Sequence, residues 1–347
     1  MNTKFKNFVW LQTAFPGDIV LTTSAIHWLR RQDPDCKQYM ITSPAGMEIL
    51  SGHPDLDGII AYDKSRQKGL GAMGALTKKV KLLVGTGSTL LLRPHLSTRS
   101  ALLGAMLRYP SLSFHEASLS MLSRLRVHRS VLDHETIRIA KLLEPVLEGS
   151  NTIPRQLRPF LPKKPLRPAL EERLKPLSAF KLVGLAPGSV WPTKRFSPEG
   201  FAAIASRILE QRSDCAFVLL GSPDDADAAA LIAAECRAPD RVINLIGHTK
   251  LGDLTALVPQ LSLMICNDSA PIHFASAYNV PTIAVFGATV TAQGFGPLSE
   301  QSFVAQNLEL ECRPCGDHGH QKCPLGHFKC MKDISITPIV EKAVQFI

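Results

Sequence analysis

The stretch KLVGLAPGSVWPTKRFSPEGFAAIASRILEQ, residues 181–211, decides the fold. Residues 181–185 form the short apolar run of a buried strand. APGSVWPTKRFSPEG reads as a loop, and residues 201–211 have helical spacing of apolar positions. The same alternation continues downstream: strand 216–220, helix 226–236, strand 261–266, helix 271–278, strand 282–286. Strands alternating with helices predict an α/β domain built on a parallel, doubly wound sheet.

The first half reads the same way. Residues 8–11 form an apolar run, Pro16-Gly17 a turn, and Ile19, Ile26 and Leu29 keep roughly helical spacing. Further strands are expected at 39–42, at 58–62 and within 81–92. Between the halves, prolines at 154, 159, 162, 165, 168 and 176 break helix and sheet and stiffen a connection. The expected division is a first domain over 1–160, a linker over 161–178 and a second domain over 179–347. Two such domains facing each other would leave a cleft at the carboxyl ends of their strands, where ligands usually bind.

The 347 residues suit two cores of this size. A hydrophobic fraction of 45% with 20% charged residues excludes a disordered or fibrous chain. No run approaches the roughly 18 apolar residues of a membrane span. The start, MNTKFKNFVW, lacks an apolar signal region, so a cytoplasmic location with reduced cysteines is expected. Net charge is +9, unevenly spread. Residues 64–129 hold twelve Lys and Arg against one acid, Glu116, which is a local +11 and leaves −2 for the remainder. Such a block suits an anionic partner: a phosphorylated glycolipid, a membrane surface or nucleic acid. Its plainer reading is a solvated basic face.

Three places carry candidate chemistry. In the loop after residue 185, Gly188 and Ser189 offer amides and a hydroxyl, while Lys194 and Arg195 supply charge ahead of a helix. That is a phosphate cradle, although its spacing is not that of a Walker loop. NDSAPIHFASA (267–277) repeats the geometry, with Asp268 and Ser269 at a strand end, the small Ala270, Pro271 in the first turn and His273 after it. Asp18 sits at the first strand-to-helix turn, either as an N-cap or as a general base. GTGST (85–89) lacks the third glycine of a nucleotide loop.

Together these motifs resemble glycosyltransferase family 9, the heptosyltransferases, and within it the lipopolysaccharide heptosyltransferase II branch. FPGDIVLTTSAIHWLR (15–30) looks like the family's N-terminal Gly-Asp motif, and RPHLSTRSALLGA (93–105) is similar to its acceptor-side segment. LAPGSVWPTKRFSPEGFAAIA, LLGSPDDADAA, LIGHTKLGDL, CNDSAPIHFASA and PTIAVFGAT follow in the family's order. The resemblance implies a GT-B fold, two Rossmann-like doubly wound domains facing across a cleft. It also implies inverting transfer of heptose from ADP-L-glycero-D-manno-heptose to Kdo-lipid A or its heptosylated form. Asp18 matches the base and Lys194 the lysine at the leaving diphosphate. Gly188, Ser189, Asp268, Ser269, Ala270 and His273 match donor contacts. Asp225 matches a ribose contact, with Asp224 and Asp227 competing, and Thr249 and Leu251 border the adenine. Gly17, Arg93, His95 and Arg99 fall on the acceptor side. Many relatives have glycine at the position of Ala270, and AFPGD also departs from the common pattern.

An acceptor of this kind gives the basic block a role at the cytoplasmic face of the inner membrane, with no nucleic acid involved. No cofactor is expected for catalysis. Cys312, Cys315, Cys323 and Cys330, spaced C-x2-C-x7-C-x6-C, suit a structural zinc, with reduced packing cysteines or a disulfide as the other readings. Competing functions are a GT-B transferase for another nucleotide sugar, and a non-catalytic membrane or nucleic-acid binder on the same scaffold.

Overall fold

A computed structural model describes residues 5–147 and 152–347. The chain divides into two compact units, Met1–Pro162 and Lys163–Ile347. In the first, strands β1 (Asn7–Gln12), β2 (Lys37–Thr42), β3 (Gly58–Ala61), β4 (Thr89–Arg93), β5 (Ser111–Phe114) and β6 (Leu125–Val127) form one parallel sheet in the order β3-β2-β1-β4-β5-β6. Its helices are α1 (Pro16–Gln32), α2 (Pro44–Leu50), α3 (Gly69–Val84), α4 (Thr98–Leu107) and α5 (Glu135–Lys141). Every residue of β1 is buried, as expected of a central strand covered on both faces. Val9, Leu11, Ile41 and Leu91 pack with Leu76 and Val80 of α3.

The second unit repeats the plan. Strands β7 (Lys181–Ala186), β8 (Cys215–Leu219), β9 (Val242–Asn244), β10 (Leu261–Asn267), β11 (Thr282–Phe286) and β12 (Ser302–Gln306) are parallel, in the order β12-β11-β10-β7-β8-β9. Helices α6 (Pro168–Leu174), α7 (Pro198–Gln211), α8 (Ala226–Glu235), α9 (Leu254–Leu257), α10 (Pro271–Ala277), α11 (Lys329–Lys332) and α12 (Thr337–Phe346) accompany them. Ser197 caps α7 by accepting the Gly200 amide, and Phe201, Ile204 and Ile208 of that helix enter the core. Each sheet therefore reverses its winding direction once, between β1 and β4 in the first unit and between β7 and β10 in the second. Loops leaving those two strands diverge and open a crevice at their carboxyl ends.

One expectation needs correction, and three points gain detail. Asp18 does not cap α1: Phe15 holds that position and Asp18 lies in the first turn. The apolar run within 81–92 splits, because α3 continues to Val84 and Gly85, at φ +71°, ends it before β4 begins. Within the linker expected over 161–178, the residues from Lys163 on belong to the second compact unit. Arg167 grips Asp253 with two hydrogen bonds of 2.7 and 2.6 Å and donates to the His248 carbonyl, so this stretch is docked on the second unit. Asn151, the first residue of the proline-rich stretch, lies outside the described residues. Finally β5, β6, β9 and β12 complete the sheets without a clear apolar signal. β6, β9 and β12 are edge strands, short and partly exposed, and β5 lies next to an edge. No helix among the described residues is long and apolar enough to cross a membrane.

Candidate active site

The second unit's crevice is built around Asn267, the buried last residue of β10. Its Oδ1 accepts the Phe196 amide at 3.0 Å and its Nδ2 donates to the Pro187 carbonyl at 2.6 Å. One side chain thereby ties both ends of the loop leaving β7 to the neighbouring strand. Beside it, Asp268 Oδ2 accepts Lys194 Nζ at 2.6 Å and Thr289 Oγ1 at 2.6 Å. Lys194 is thus held as a fixed cation at the carboxyl edge of the sheet. Charge-assisted bonds of this length, largely shielded from water, hold position strongly.

Gly188 is required for space. A Cβ there would lie 2.4 Å from Asp225 Oδ2. The Asp225 carboxylate is itself engaged, accepting both the amide and the hydroxyl of Ser222 at 2.9 Å, and it is buried. Asp225 therefore underpins the Gly188 loop and caps the turn before α8 through its Oδ2. Asp224 and Asp227 are exposed. Ser189 is half-exposed, and its carbonyl accepts Arg195 Nε at 2.7 Å. Ser269, Ala270 and the buried His273 follow at the start of α10. Thr249 and Leu251 lie past β9, two strands along the same edge. Sequence reading missed Thr289, although it ends the PTIAVFGAT segment.

The first unit's crevice gathers Asp18, Thr13 and His95. Thr13 Oγ1 stands 3.3 Å from His95 Nδ1, joining the loops that leave β1 and β4. Burial pushes the Asp18 carboxyl from its ordinary value up to about 7, aided by the Glu135 carboxylate and opposed by Arg129. Glu135 opens α5, which packs on α1, and is paired with Arg129 and Arg138. His95 also meets Ser100 Oγ at 3.1 Å. Burial and the neighbouring Lys64 push it down to about 4, so its ring is neutral near pH 7. Arg99 is exposed and donates to the Lys64 carbonyl, and Gly17 is buried in the first turn of α1.

Arg93, expected on the acceptor side, lies deeper than Arg99. It is fully buried at the end of β4, and among the described residues its three guanidinium nitrogens have no hydrogen-bond partner. Gly104 makes room for it, since a Cβ there would lie 2.9 Å from Arg93 Cδ.

The four C-terminal cysteines expected to suit a structural zinc lie within electrostatic reach of one another, since burial and then Cys315, Cys323 and Cys312 raise the Cys330 thiol. Among the described residues no group of three or more His, Cys, Asp or Glu is placed to hold a metal ion. All four thiols are free. Cys315 Sγ donates to the Cys312 carbonyl at 3.0 Å, and burial pushes the Cys330 thiol up to about 11.

Comparison with known proteins agrees with this geometry. The model of glycosyltransferase family 9 (heptosyltransferase) matches residues 97–326. Lipooligosaccharide heptosyltransferase 2 of Campylobacter jejuni is 31% identical over 164 residues, which are 47% of this chain and 50% of that protein. The match thus spans about half the length of that relative. Lipopolysaccharide heptosyltransferase 3 of Escherichia coli is 25% identical over 285 residues, 79% of this chain and 82% of the relative. Among solved structures, the family 9 glycosyl transferase of Veillonella parvula superposes with a TM-score of 0.80 at 20% identity, covering 100% of this chain and 98% of that one. E. coli ADP-heptose lps heptosyltransferase II gives 0.74 at 18% identity, with 98% of each chain covered. The paired doubly wound units are accordingly those of the GT-B fold. With the family model covering well over half of its length, the chain belongs to glycosyltransferase family 9, the heptosyltransferases.

Proposed function

We propose that the protein is an inverting heptosyltransferase that moves heptose from ADP-L-glycero-D-manno-heptose to the inner core of a lipopolysaccharide acceptor, Kdo-lipid A or its heptosylated form. The observation that carries this reading is Asp18, a carboxyl raised to about 7 at the winding reversal of the first unit. A general base works best when its pKa lies near the working pH. In this reading the Asp18 carboxylate takes the proton of an acceptor hydroxyl. The oxygen attacks the anomeric carbon of the donor, the bond from that carbon to the diphosphate breaks, and ADP departs with the electron pair.

Lys194 neutralises the charge growing on the leaving diphosphate, already aimed by Asp268 and Thr289. Fixed cations of this kind carry the step without a metal cofactor. Amides at Gly188 and Ser189 face the phosphates, Ser269, Ala270 and His273 border the sugar, and Thr249 and Leu251 border the base. The names of the relatives from C. jejuni and E. coli support heptose as the transferred sugar. An anionic glycolipid also suits the basic first unit, and we place the protein at the cytoplasmic face of the inner membrane as a peripheral protein.

The test is ADP release from ADP-heptose with Kdo-lipid A, before and after one heptose has been added to it. Turnover on one of these acceptors is expected, with kcat reduced at least 1,000-fold, on the order of a lost catalytic base and its positioning, in Asp18→Asn. Turnover with other nucleotide sugars but not ADP-heptose would move the assignment to another donor. Unchanged turnover in Asp18→Asn would remove the base from the mechanism.

A further inference from the structure

The Cys-rich segment near the C-terminus packs against the residue proposed to meet the diphosphate. Lys194 closes a single helical turn, Pro192–Lys194. In that turn Thr193 is buried while its neighbours are half-exposed. The Thr193 amide donates to the His320 carbonyl at 3.2 Å. Its hydroxyl donates to the same carbonyl at 3.0 Å and accepts the His320 amide at 2.7 Å. Gly319 lies on top of the turn at φ +97°. A Cβ there would stand 3.1 Å from Thr193 Oγ1, 3.1 Å from Trp191 Cβ and 3.2 Å from Lys194 Cγ. The Trp191 and His318 rings stack within 11° of parallel.

The other end of the segment is anchored to the exit of β11. Arg313 donates to the carbonyls of Phe286, Gly287 and Thr289, and the Cys315 amide donates to the Ala288 carbonyl at 2.8 Å. Gln293 Nε2 adds a bond to the Gly316 carbonyl at 3.0 Å. Thr289, held by Arg313 through its carbonyl, is the residue whose hydroxyl shares Asp268 with Lys194. Residues 313–320 therefore hold both sides of the Lys194–Asp268–Thr289 cluster, one side at each end.

We infer that residues 313–320 are a positioning strap that sets the location of the Lys194 ammonium, with Thr193, Gly319 and Arg313 as its positioning residues. The strap acts through backbone bonds and close packing, and none of these residues is asked to touch substrate. The link to turnover rests on the heptosyl-transfer reading; the link to Lys194 does not.

The test therefore has two readouts. The first is acetylation of Lys194 by acetic anhydride, followed by site-resolved mass spectrometry, with Lys181 as an internal reference. Thr193→Val keeps the side-chain shape and removes the hydroxyl. Lys194 is expected to become more reactive relative to Lys181, and Thr193→Ser to restore protection. Gly319→Ala pushes on the same turn from the strap side and should expose Lys194 in the same way, which keeps the test open if Thr193→Val folds poorly. The second readout is turnover. A fall in kcat of about 100-fold, the scale of an ångström's misplacement, is expected with an unchanged acceptor KM. Unchanged Lys194 reactivity in both variants, or a rise matched at Lys181, would overturn the strap. A selective rise at Lys194 in a protein that turns over no ADP-heptose would support the strap and sink the transfer reading alone.

Discussion

At the residue scale, Asp18 illustrates how little of a carboxyl's chemistry is local. Its neighbours in sequence, a turn and a helix start, would favour an ordinary ionised carboxylate, since the N-terminal end of a helix stabilises negative charge. Burial and Glu135, 117 positions away in the chain, win instead and raise it to about 7. The sign of the consequence is clear. The base works ionised, so kcat is expected to rise with pH through a midpoint near 7. Glu135→Gln removes a negative charge and leaves Arg129 and Arg138 with less compensation. That lowers the cost of ionising Asp18, and the midpoint should move to lower pH. A pH–rate profile on the folded variant checks this, and a midpoint that stays in place would detach Glu135 from the base. Asp225 teaches the same lesson in reverse. The acidic residue was legible in its segment, but the two bonds from Ser222 that fix its Oδ2 were not.

At the element scale, the two donor-side loops were readable because each lies between a strong apolar strand and a helix with a clear start. Ser197 and Pro198 open α7, and Pro271 opens α10. How the loops are joined was not readable, because Asn267 connects them through side-chain bonds spanning 71 and 80 positions. The tightness of that assembly makes Gly188 a sensitive position. In Gly188→Ala the new methyl meets the Asp225 carboxylate, which cannot retreat without releasing Ser222. Stability is expected to fall by about 1–3 kcal/mol, the usual cost of overpacking, together with a loss of ADP affinity. Thermal unfolding and calorimetric titration with ADP check both parts, and a variant with wild-type values would show that Asp225 is free to move. The proline-rich stretch, which contains the division between the two units, carries a related point. Proline density reports the absence of regular structure, but not whether a segment such as that around Arg167 docks through its side chains.

At the scale of the whole molecule, the exposed apolar surface is unequally divided. Of the fourteen large hydrophobic side chains exposed among the described residues, eleven belong to the first unit. They include Leu102 on α4 and Leu119, Met121, Leu122 and Leu125 beyond it, interspersed with the exposed Arg99, Arg108, Arg124 and Arg126. Apolar groups set among cations suit an anionic lipid surface, to which each nearby cation contributes about 1 kcal/mol. Vesicles containing phosphatidylglycerol should sediment the protein, neutral vesicles much less, and Met121→Glu with Leu122→Glu should weaken the binding. Equal binding to both vesicle types would discard the lipid surface. The sequence by itself determined the two α/β units, the polarity of their strands and the loops that carry Gly188, Lys194 and Asp268. Those features rest on short-range periodicity and on the conformational limits of glycine and proline, which act over a few residues. Tertiary structure alone decided the shifted Asp18, the buried Arg93, the capped Asp225 and the bonds between Thr193 and His320. Each of these depends on which distant groups share a low-dielectric space, and no local pattern encodes that proximity.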